Sequence, residues 1–326
     1  MMIVTDTFEQ TNGVSTTYKN IKSVARSRNL RFKVIHPSLF KWIPMPFYPE
    51  IQLAIQPCRL WRLLNRINPP QIHIATEGIL GAVARVWCMR NKKPFTSSYH
   101  TQFPEYLNIY LRIPLSWTYA YLRRFHAPAK TTFVTTETMR NNLAARGFKH
   151  LTVWTRGVSD QLKSEKPHQQ HHSKLRVLNV GRVSKEKNLD ALCAHENEFE
   201  ISIVGDGPHV ETLKRKYQKV HYLGYKFGKE LADIYTEHDI FAFPSRTDTF
   251  GIVMIEAMCN GLPVAGYPVP GPIDVIEHGV TGYINDDLRQ AIINCAQLDH
   301  QIIKQTARQK WSWARCFDIF YKHFHA

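Results

Sequence analysis

Runs of four to six mostly apolar residues recur along the chain, separated by segments long enough to hold a helix. In the first half they fall at residues 2–5, 32–35, 71–75, 95–99 and 132–135, and in the second at 175–180, 199–204, 220–223, 240–243 and 262–265. Runs this short, rich in Val, Ile and Phe, read as strands; the first leads through Gln10-Thr11-Asn12-Gly13-Val14-Ser15 into a helix over 16–26. Strands that alternate with helices are joined by crossovers, which build parallel sheets covered on both faces. Between the two series, residues 163–174 are polar and aperiodic, the pattern of a linker. The expected fold class is α/β, with two doubly wound Rossmann-like domains facing a cleft. The expected divisions are an N-terminal domain over 1–160, a linker over 161–174, a C-terminal domain over 175–305, and a last helix over 306–326 that packs back on the N-terminal domain. Open parallel sheets bind ligands beyond the carboxyl ends of their strands, so a ligand is expected in that cleft.

Composition changes this picture only through charge. The 326 residues are 44% hydrophobic and 21% charged, which argues against a disordered or collagenous chain. Residues 1–155, however, hold 21 Lys and Arg against 6 Asp and Glu, while 156–326 hold 21 of each class, so the formal charge of +15 belongs to the first half. Such an excess points to an anionic partner, a phosphorylated substrate or phospholipid headgroups. A basic nucleic-acid-binding protein is the rival class, but no helix-turn-helix, zinc-finger or RNP pattern accompanies the charge, so no nucleic acid is expected. The six cysteines include no C-x-x-C pair, and reduced thiols are expected. No apolar run reaches the ~18 residues of a spanning helix, and the opening residues lack a signal-peptide pattern. A cytoplasmic protein is expected, peripheral at the inner face of the cell membrane where its basic half meets lipid.

Candidate chemistry begins at glycine-bearing strand ends: Asn12-Gly13-Val14, Gly181 to Lys187, and Gly205-Asp206-Gly207-Pro208. Glycine lets backbone approach an anion closely, and a helix start supplies free N–H groups and a positive dipole end. Gly205-x-Gly207 lacks the third glycine of the dinucleotide fingerprint, which argues against an NAD site. The second loop is stronger, because Arg182 and Lys187 flank one turn and together match the charge of a diphosphate. The run from Ser245 to Val264 is the most informative. It places Asp248 before a turn at Phe250-Gly251-Ile252, and Glu256 in the helix that follows. Amides of such a turn face an anion while the carboxylates accept hydrogen bonds from hydroxyl groups, a layout that suits a sugar and a ribose.

These residues resemble the retaining, nucleotide-sugar-dependent glycosyltransferases of family four, which have the GT-B architecture. The family's late signature is Glu, seven residues, Glu around Phe-Gly, with the second Glu opening Glu-Ala-Met-x-x-Gly-x-Pro-Val. This chain keeps every part except the first Glu, where it has Asp248. Asn12-Gly13-Val14, Gly181-Arg182 with Lys187, Gly205-Asp206-Gly207-Pro208, Pro270-Gly271-Pro272 and Glu277-His278-Gly279 also match, so the resemblance covers nearly the whole chain. Tyr99-His100-Thr101 and Phe125-His126-Ala127-Pro128 look like the branch of bacterial lipid glycosyltransferases and mannosyltransferases.

The resemblance implies that Arg182 and Lys187 grip the donor diphosphate, that Gly13 approaches it, and that Glu256 holds the ribose. Asp248 would bind the transferred sugar with the amides of Phe250, Gly251 and Ile252, and His100 would line the active site. The implied reaction moves a hexose, mannose or glucose, from a nucleoside-diphosphate sugar to a hydroxyl of a lipid or glycan acceptor, by front-face transfer. No cofactor and no metal are expected: fixed cations replace it, and the chain has no Asp-x-Asp triplet. Another GT-B enzyme, such as a sugar-nucleotide epimerase, is the nearer alternative. Acceptor recognition is expected in the first half, where residues 42–48 and 106–119 are aromatic and apolar. Tyr106 opens the second stretch, and Arg112, Arg123 and Arg124 accompany it, a mixture suited to an anionic membrane surface. Buried helices of a doubly wound domain would read similarly.

Overall fold

The computed structural model describes residues 1–10, 12–45, 48–166 and 174–325. Thr11, Pro46, Phe47 and linker residues 167–173 of the sequence reading lie outside the described residues. The chain forms two compact units, Met1–Arg156 with Trp313–Ala326, and Gly157–Ser312.

The first unit runs β1 (Met2–Val4), α1 (Gly13–Ser27), β2 (Lys33–Ile35), β3 (Trp42–Met45), β4 (Tyr48–Ala54), α2 (Pro57–Ile67), β5 (Ile72–Ile74), α3 (Ile79–Arg90), β6 (Phe95–Tyr99), α4 (Phe103–Leu111), α5 (Leu115–His126), β7 (Thr131–Val134), α6 (Glu137–Ala145) and β8 (Leu151–Val153). Its main sheet is parallel with order β2-β1-β5-β6-β7-β8, while β3 and β4 form a separate antiparallel pair. Alternate strand residues feed opposite faces. Met2, Val4, Ile72 and Ile74 pack with α2 and α3, whereas Ile3 and Phe133 pack with Tyr18 and Ile21 of α1.

The second unit runs β9 (Arg176–Val180), α7 (Asp190–Cys193), β10 (Glu200–Val204), α8 (Val210–Lys216), β11 (His221–Gly224), α9 (Gly228–Thr236), β12 (Ile240–Phe243), α10 (Ile252–Cys259), β13 (Val264–Gly266), α11 (Pro272–Val275), β14 (Gly282–Ile284), α12 (Leu288–Cys295) and α13 (His300–Lys310). Its sheet is parallel with order β11-β10-β9-β12-β13-β14. Leu178, Val180 and Phe241 pack against α10 on one face; Val177, Ile201 and Ile240 pack toward α8 and α12 on the other.

Where the sequence pattern places the first division at 160, the units part between Arg156 and Gly157. The segment that follows is pinned to the second unit: the Ser164 amide donates to Asn260 Oδ1 at 2.7 Å, and Arg308 Nη2 to the Ser164 carbonyl at 2.9 Å. At the other end, α13 stays with the second unit and α14 (Trp313–His325) belongs to the first. On α14, Trp313, Cys316, Phe317, Phe320 and Phe324 follow helical spacing and join the α1 face of the core. The Trp154 indole fastens it by donating to the Cys316 carbonyl at 2.9 Å.

Candidate functional site

In the second unit the strand order reverses at β9, whose neighbours are β10 on one side and β12 on the other. Such a switch point leaves a crevice at the carboxyl ends of the two strands. Here β9 and β12 pair only through Val177–Ile240 and Leu178–Phe241. Beyond that point side chains bridge them: Asn179 Nδ2 donates to the Ala242 carbonyl at 2.9 Å, and Asn188 Nδ2 to the Pro244 carbonyl at 3.1 Å. At the top of the same crevice Lys187 Nζ contacts both Asp248 oxygens, at 2.7 and 2.8 Å. Both side chains remain partly open to solvent, 23% and 17% exposed. The two residues assigned to phosphate and sugar thus meet, 61 positions apart in the chain.

Gly181 and Arg182 begin the loop on the β9 side. Gly181 has φ +153°, and a Cβ there would meet nothing within 4 Å. Gly205 and Gly207, read from sequence as a possible phosphate loop, have another reason for their small size. A Cβ on Gly205 would lie 1.9 Å from the Gly181 carbonyl oxygen, and one on Gly207 2.3 Å from that of Val183. Their role in the structure is backbone-on-backbone packing that supports the Gly181–Val183 segment, reinforced by the Gly181 amide donating to Val204 and the Val183 amide to Asp206, both at 2.9 Å.

On the β12 side Phe250 turns its ring into the core, edge-on to Trp311 at 5.5 Å, which leaves only its backbone for the site. Gly251, with φ +78°, is the N-cap of α10, and having no side chain it supplies no cap of its own to the positive end of the helix at Ile252. Gly271 packs behind this loop, since its Cβ would stand 3.2 Å from the Asp248 carbonyl oxygen. The matching Pro270-Gly271-Pro272 stretch therefore buttresses the Asp248 loop. Glu256 lies one turn into α10 and is buried; Tyr235 Oη donates to its Oε2 at 3.2 Å. Burial pushes its carboxyl up to about 7, and the Tyr235 bond offsets this only in part.

One feature of the same sheet edge was missed in the sequence. Gly224 accepts from the Gly205 amide at 2.8 Å, and beyond it Tyr225 and Phe227 stack at 6.0 Å, 53% and 59% exposed. An aromatic pair directly after a strand end was the available signal.

The remaining candidates belong to the first unit. Gly13 is the first residue of α1, capped by Asn12 Oδ1, which accepts from the Ser15 amide at 2.9 Å. His100 follows β6 with both ring nitrogens engaged: Nε2 meets Tyr18 Oη and Nδ1 meets Arg156 Nη2, each at 2.8 Å. Tyr106 lies on α4, Arg112 ends that helix with φ +54°, and Arg123 and Arg124 sit exposed in the last turn of α5. Trp117 and Tyr121 of α5 are 73% and 51% exposed; with Phe103, Leu107 and Leu122 they line a shallow cavity of about 290 Å³. Tyr119, by contrast, is buried, with its hydroxyl donating to Glu105 Oε1 at 2.6 Å. Among the described residues no helix is long and apolar enough to cross a membrane.

Two Rossmann-like sheets place the chain in the GT-B class of fold, and one switch point gathers a cation, carboxylates and a helix start with a glycine N-cap. Residues 21–162 match the model for Glycosyltransferase Family 4 and residues 160–294 that for Glycosyl transferases group 1, so the chain belongs to this glycosyltransferase family. It is 28% identical to the sulfoquinovosyl transferase SQD2 of Arabidopsis thaliana, over 83% of this chain and 59% of the relative. It is 26% identical to a GDP-mannose-dependent alpha-mannosyltransferase of Corynebacterium glutamicum, over 75% of this chain and 62% of the relative. The chain thus spans about three-fifths of the length of these curated relatives. Its fold matches that of HepE from Anabaena, solved in complex with UDP and glucose, with a TM-score of 0.75, 16% identity, and coverage of 100% of this chain and 99% of the other.

Proposed function

We propose that the protein is a metal-independent, retaining hexosyltransferase that moves mannose or glucose from a nucleoside-diphosphate sugar to a hydroxyl of a lipid or glycan acceptor. The observation that carries this reading is the meeting of Lys187 and Asp248 beside the uncapped start of α10. In the transfer the bond from sugar C1 to the phosphate oxygen breaks, and a bond from C1 to the acceptor oxygen forms on the same face. The acceptor proton passes to the departing phosphate oxygen. Charge grows on the leaving diphosphate, and Arg182, Lys187 and the α10 amides, fixed in advance, stabilise it more in the transition state than in the ground state. Asp248 accepts hydrogen bonds from sugar hydroxyls and Glu256 from ribose, while Tyr225 and Phe227 offer a stacking surface for the base. The named donor of the corynebacterial relative and the UDP and glucose held by HepE support a nucleotide-linked hexose.

The test is thermal-shift screening against GDP, UDP, ADP and their sugars, followed by transfer assays in EDTA. A ligand that binds only the native state raises the melting temperature by mass action. One nucleotide series should do so, and transfer should persist in EDTA. No shift with any nucleotide, or strict dependence on Mn²⁺ or Mg²⁺, contradicts the proposal.

The exposed α4–α5 face favours a lipid acceptor. Exposed Trp117 and Tyr121 beside Arg112, Arg123 and Arg124 match the amphipathic and basic character of a membrane-surface segment. Each Arg near anionic headgroups contributes about 1 kcal/mol. The protein should cosediment with phosphatidylglycerol vesicles at low salt, hardly with neutral ones, and replacing the three arginines together with Gln should release it without changing nucleotide affinity. Indifference to anionic vesicles turns the reading toward a soluble glycan acceptor.

A further inference from the structure

A continuous line of polar side chains crosses the interior of the first unit. Arg156 Nη2 lies 2.8 Å from His100 Nδ1, His100 Nε2 2.8 Å from Tyr18 Oη, Tyr18 Oη 2.6 Å from His73 Nε2, and His73 Nδ1 2.8 Å from Thr96 Oγ1. Its direction follows from which groups are able to donate. A guanidinium only donates, so His100 Nδ1 accepts and carries no proton. The single proton of the neutral ring is then on Nε2 and goes to the Tyr18 oxygen. Tyr18 has one proton and two acceptors within reach, His73 Nε2 at 2.6 Å and Ser98 Oγ at 3.3 Å, and the shorter contact takes it. His73 must therefore hold its proton on Nδ1 and give it to Thr96.

The surroundings keep both rings neutral. Tyr18, His73, Thr96, Ser98 and Arg156 are buried, and Arg156 is itself anchored by Nη1 to the carbonyls of Trp154 and Thr155 at 2.8 and 2.9 Å. The titratable groups around His100 are Arg156, His73 and His126, with Cys316 of α14 next to Arg156 and Glu77 reaching Tyr18. Burial first, then the Arg156 charge, hold the His100 ring well below the usual histidine range; burial alone brings His73 down to about 3.

We infer that Arg156 is a positioning residue which fixes His100 as the neutral Nε2–H tautomer and, through Tyr18, sets His73 as the opposite, Nδ1–H tautomer. His100 then serves transfer as a fixed neutral ring and not as a proton carrier. Tyr18 also ties that ring to α1, which starts at Gly13. The tautomer assignment is independent of the proposed hexosyl transfer; only its consequence for catalysis rests on that reading.

The test is NMR of the full chain labelled with ¹⁵N-histidine, the two rings assigned by loss of their signals in His100→Gln and His73→Gln. Between pH 5.5 and 8 the unaltered protein should show opposite neutral tautomers and no titration of either ring. An Nδ1–H or doubly protonated His100 in this range overturns the inference, whether or not any variant folds. In Arg156→Met the His100 ring should lose its fixed tautomer and populate Nδ1–H, and Arg156→Lys, which still only donates, should restore the Nε2–H form. Hydrolysis of the nucleotide sugar gives a second readout: Arg156→Met should lower kcat/KM, and Arg156→Lys should restore it. A folded Arg156→Met variant whose His100 keeps its tautomer also overturns it. Absence of all nucleotide-sugar turnover would count against the transferase reading while leaving the NMR result standing.

Discussion

The crevice between β1 and β5 in the first unit is closed by Asp6. Its carboxylate accepts from Thr76 Oγ1 at 2.8 Å and from the amides of Leu80 and Gly81 at 2.8 and 3.4 Å, so the start of α3 is capped from the neighbouring strand. Even a Cβ at Gly78 would stand 2.4 Å from the Asp6 carboxyl carbon. The equivalent crevice between β9 and β12 in the second unit is finished with glycine: the place of a Cβ on Gly181 is open, and Gly251 leaves α10 without a side-chain cap. Two sheets of similar topology thus treat the same feature oppositely. A carboxylate placed after the first strand neutralises its own helix start, whereas glycines leave that start for an anion from outside. Doubly wound topology makes a crevice in both units; the residue type after the strand decides whether the helix start beside it is already met by a carboxylate.

The largest effect should come from removing the cations of the second crevice. Arg182→Ala or Lys187→Ala removes a charge-assisted hydrogen bond worth ~1.5–3 kcal/mol, or about one to two decades in donor affinity, with turnover falling at least as far. Both side chains are partly open to solvent, so folding should survive. Unchanged donor affinity and turnover in both variants would remove the diphosphate from this site. Asp248→Asn should damage turnover of the sugar donor while leaving affinity for the free diphosphate nearly intact. The first crevice should respond in the opposite sense. Asp6→Ala strips α3 of its cap and leaves the buried amides of Leu80 and Gly81 without their carboxylate, at a cost of about 2 kcal/mol of stability, with no change in nucleotide affinity. A loss of nucleotide binding in Asp6→Ala at a temperature where the protein remains folded would show that the first crevice also serves the ligand.

The sheets were more legible than the contacts at their ends. The runs read as strands correspond to β1, β2, β5, β6, β7, β9, β10, β11, β12 and β13; strands such as β1, β12 and β13, buried along their whole length, are almost wholly apolar. The strands left unread were the edge strands β8 and β14, of three residues each, and the β3–β4 pair, where Pro44 disguises a strand that lies outside the main sheet. At the site, the helix start at Ile252 and the glycine turn before it were readable because local chain chemistry makes them. The Lys187–Asp248 pair was not, since only the placement of β12 beside β9 brings the residues together. His100 was readable as a candidate, but its partners Tyr18 and Arg156, and His73 beyond Tyr18, come from three other segments. The available sign was His73 itself, an imidazole between Ile72 and Ile74 in a buried strand, which requires buried partners.

The smallest expected change in donor affinity separates the two carboxylates at the second crevice by their response to pH. Glu256, in an otherwise apolar helix, has its carboxyl raised from the ordinary 4.5 to about 7, chiefly by burial. The unfolded chain ionises this group near its ordinary value, so the folded state binds the proton more tightly. Its stabilising contribution is complete below about 4.5 and is lost as pH rises through 7, a change on the order of 3 kcal/mol. Nucleotide binding should move the other way, because ribose hydroxyls donate to the ionised carboxylate. Affinity for the nucleoside diphosphate should rise by up to about tenfold between pH 6 and 8, while the melting temperature of the free protein falls over the same interval. Glu256→Gln should flatten both curves and Asp248→Asn neither, as read by calorimetric titration and thermal melts across that range. A nucleotide affinity that stays level in the unaltered protein would take the ribose away from Glu256.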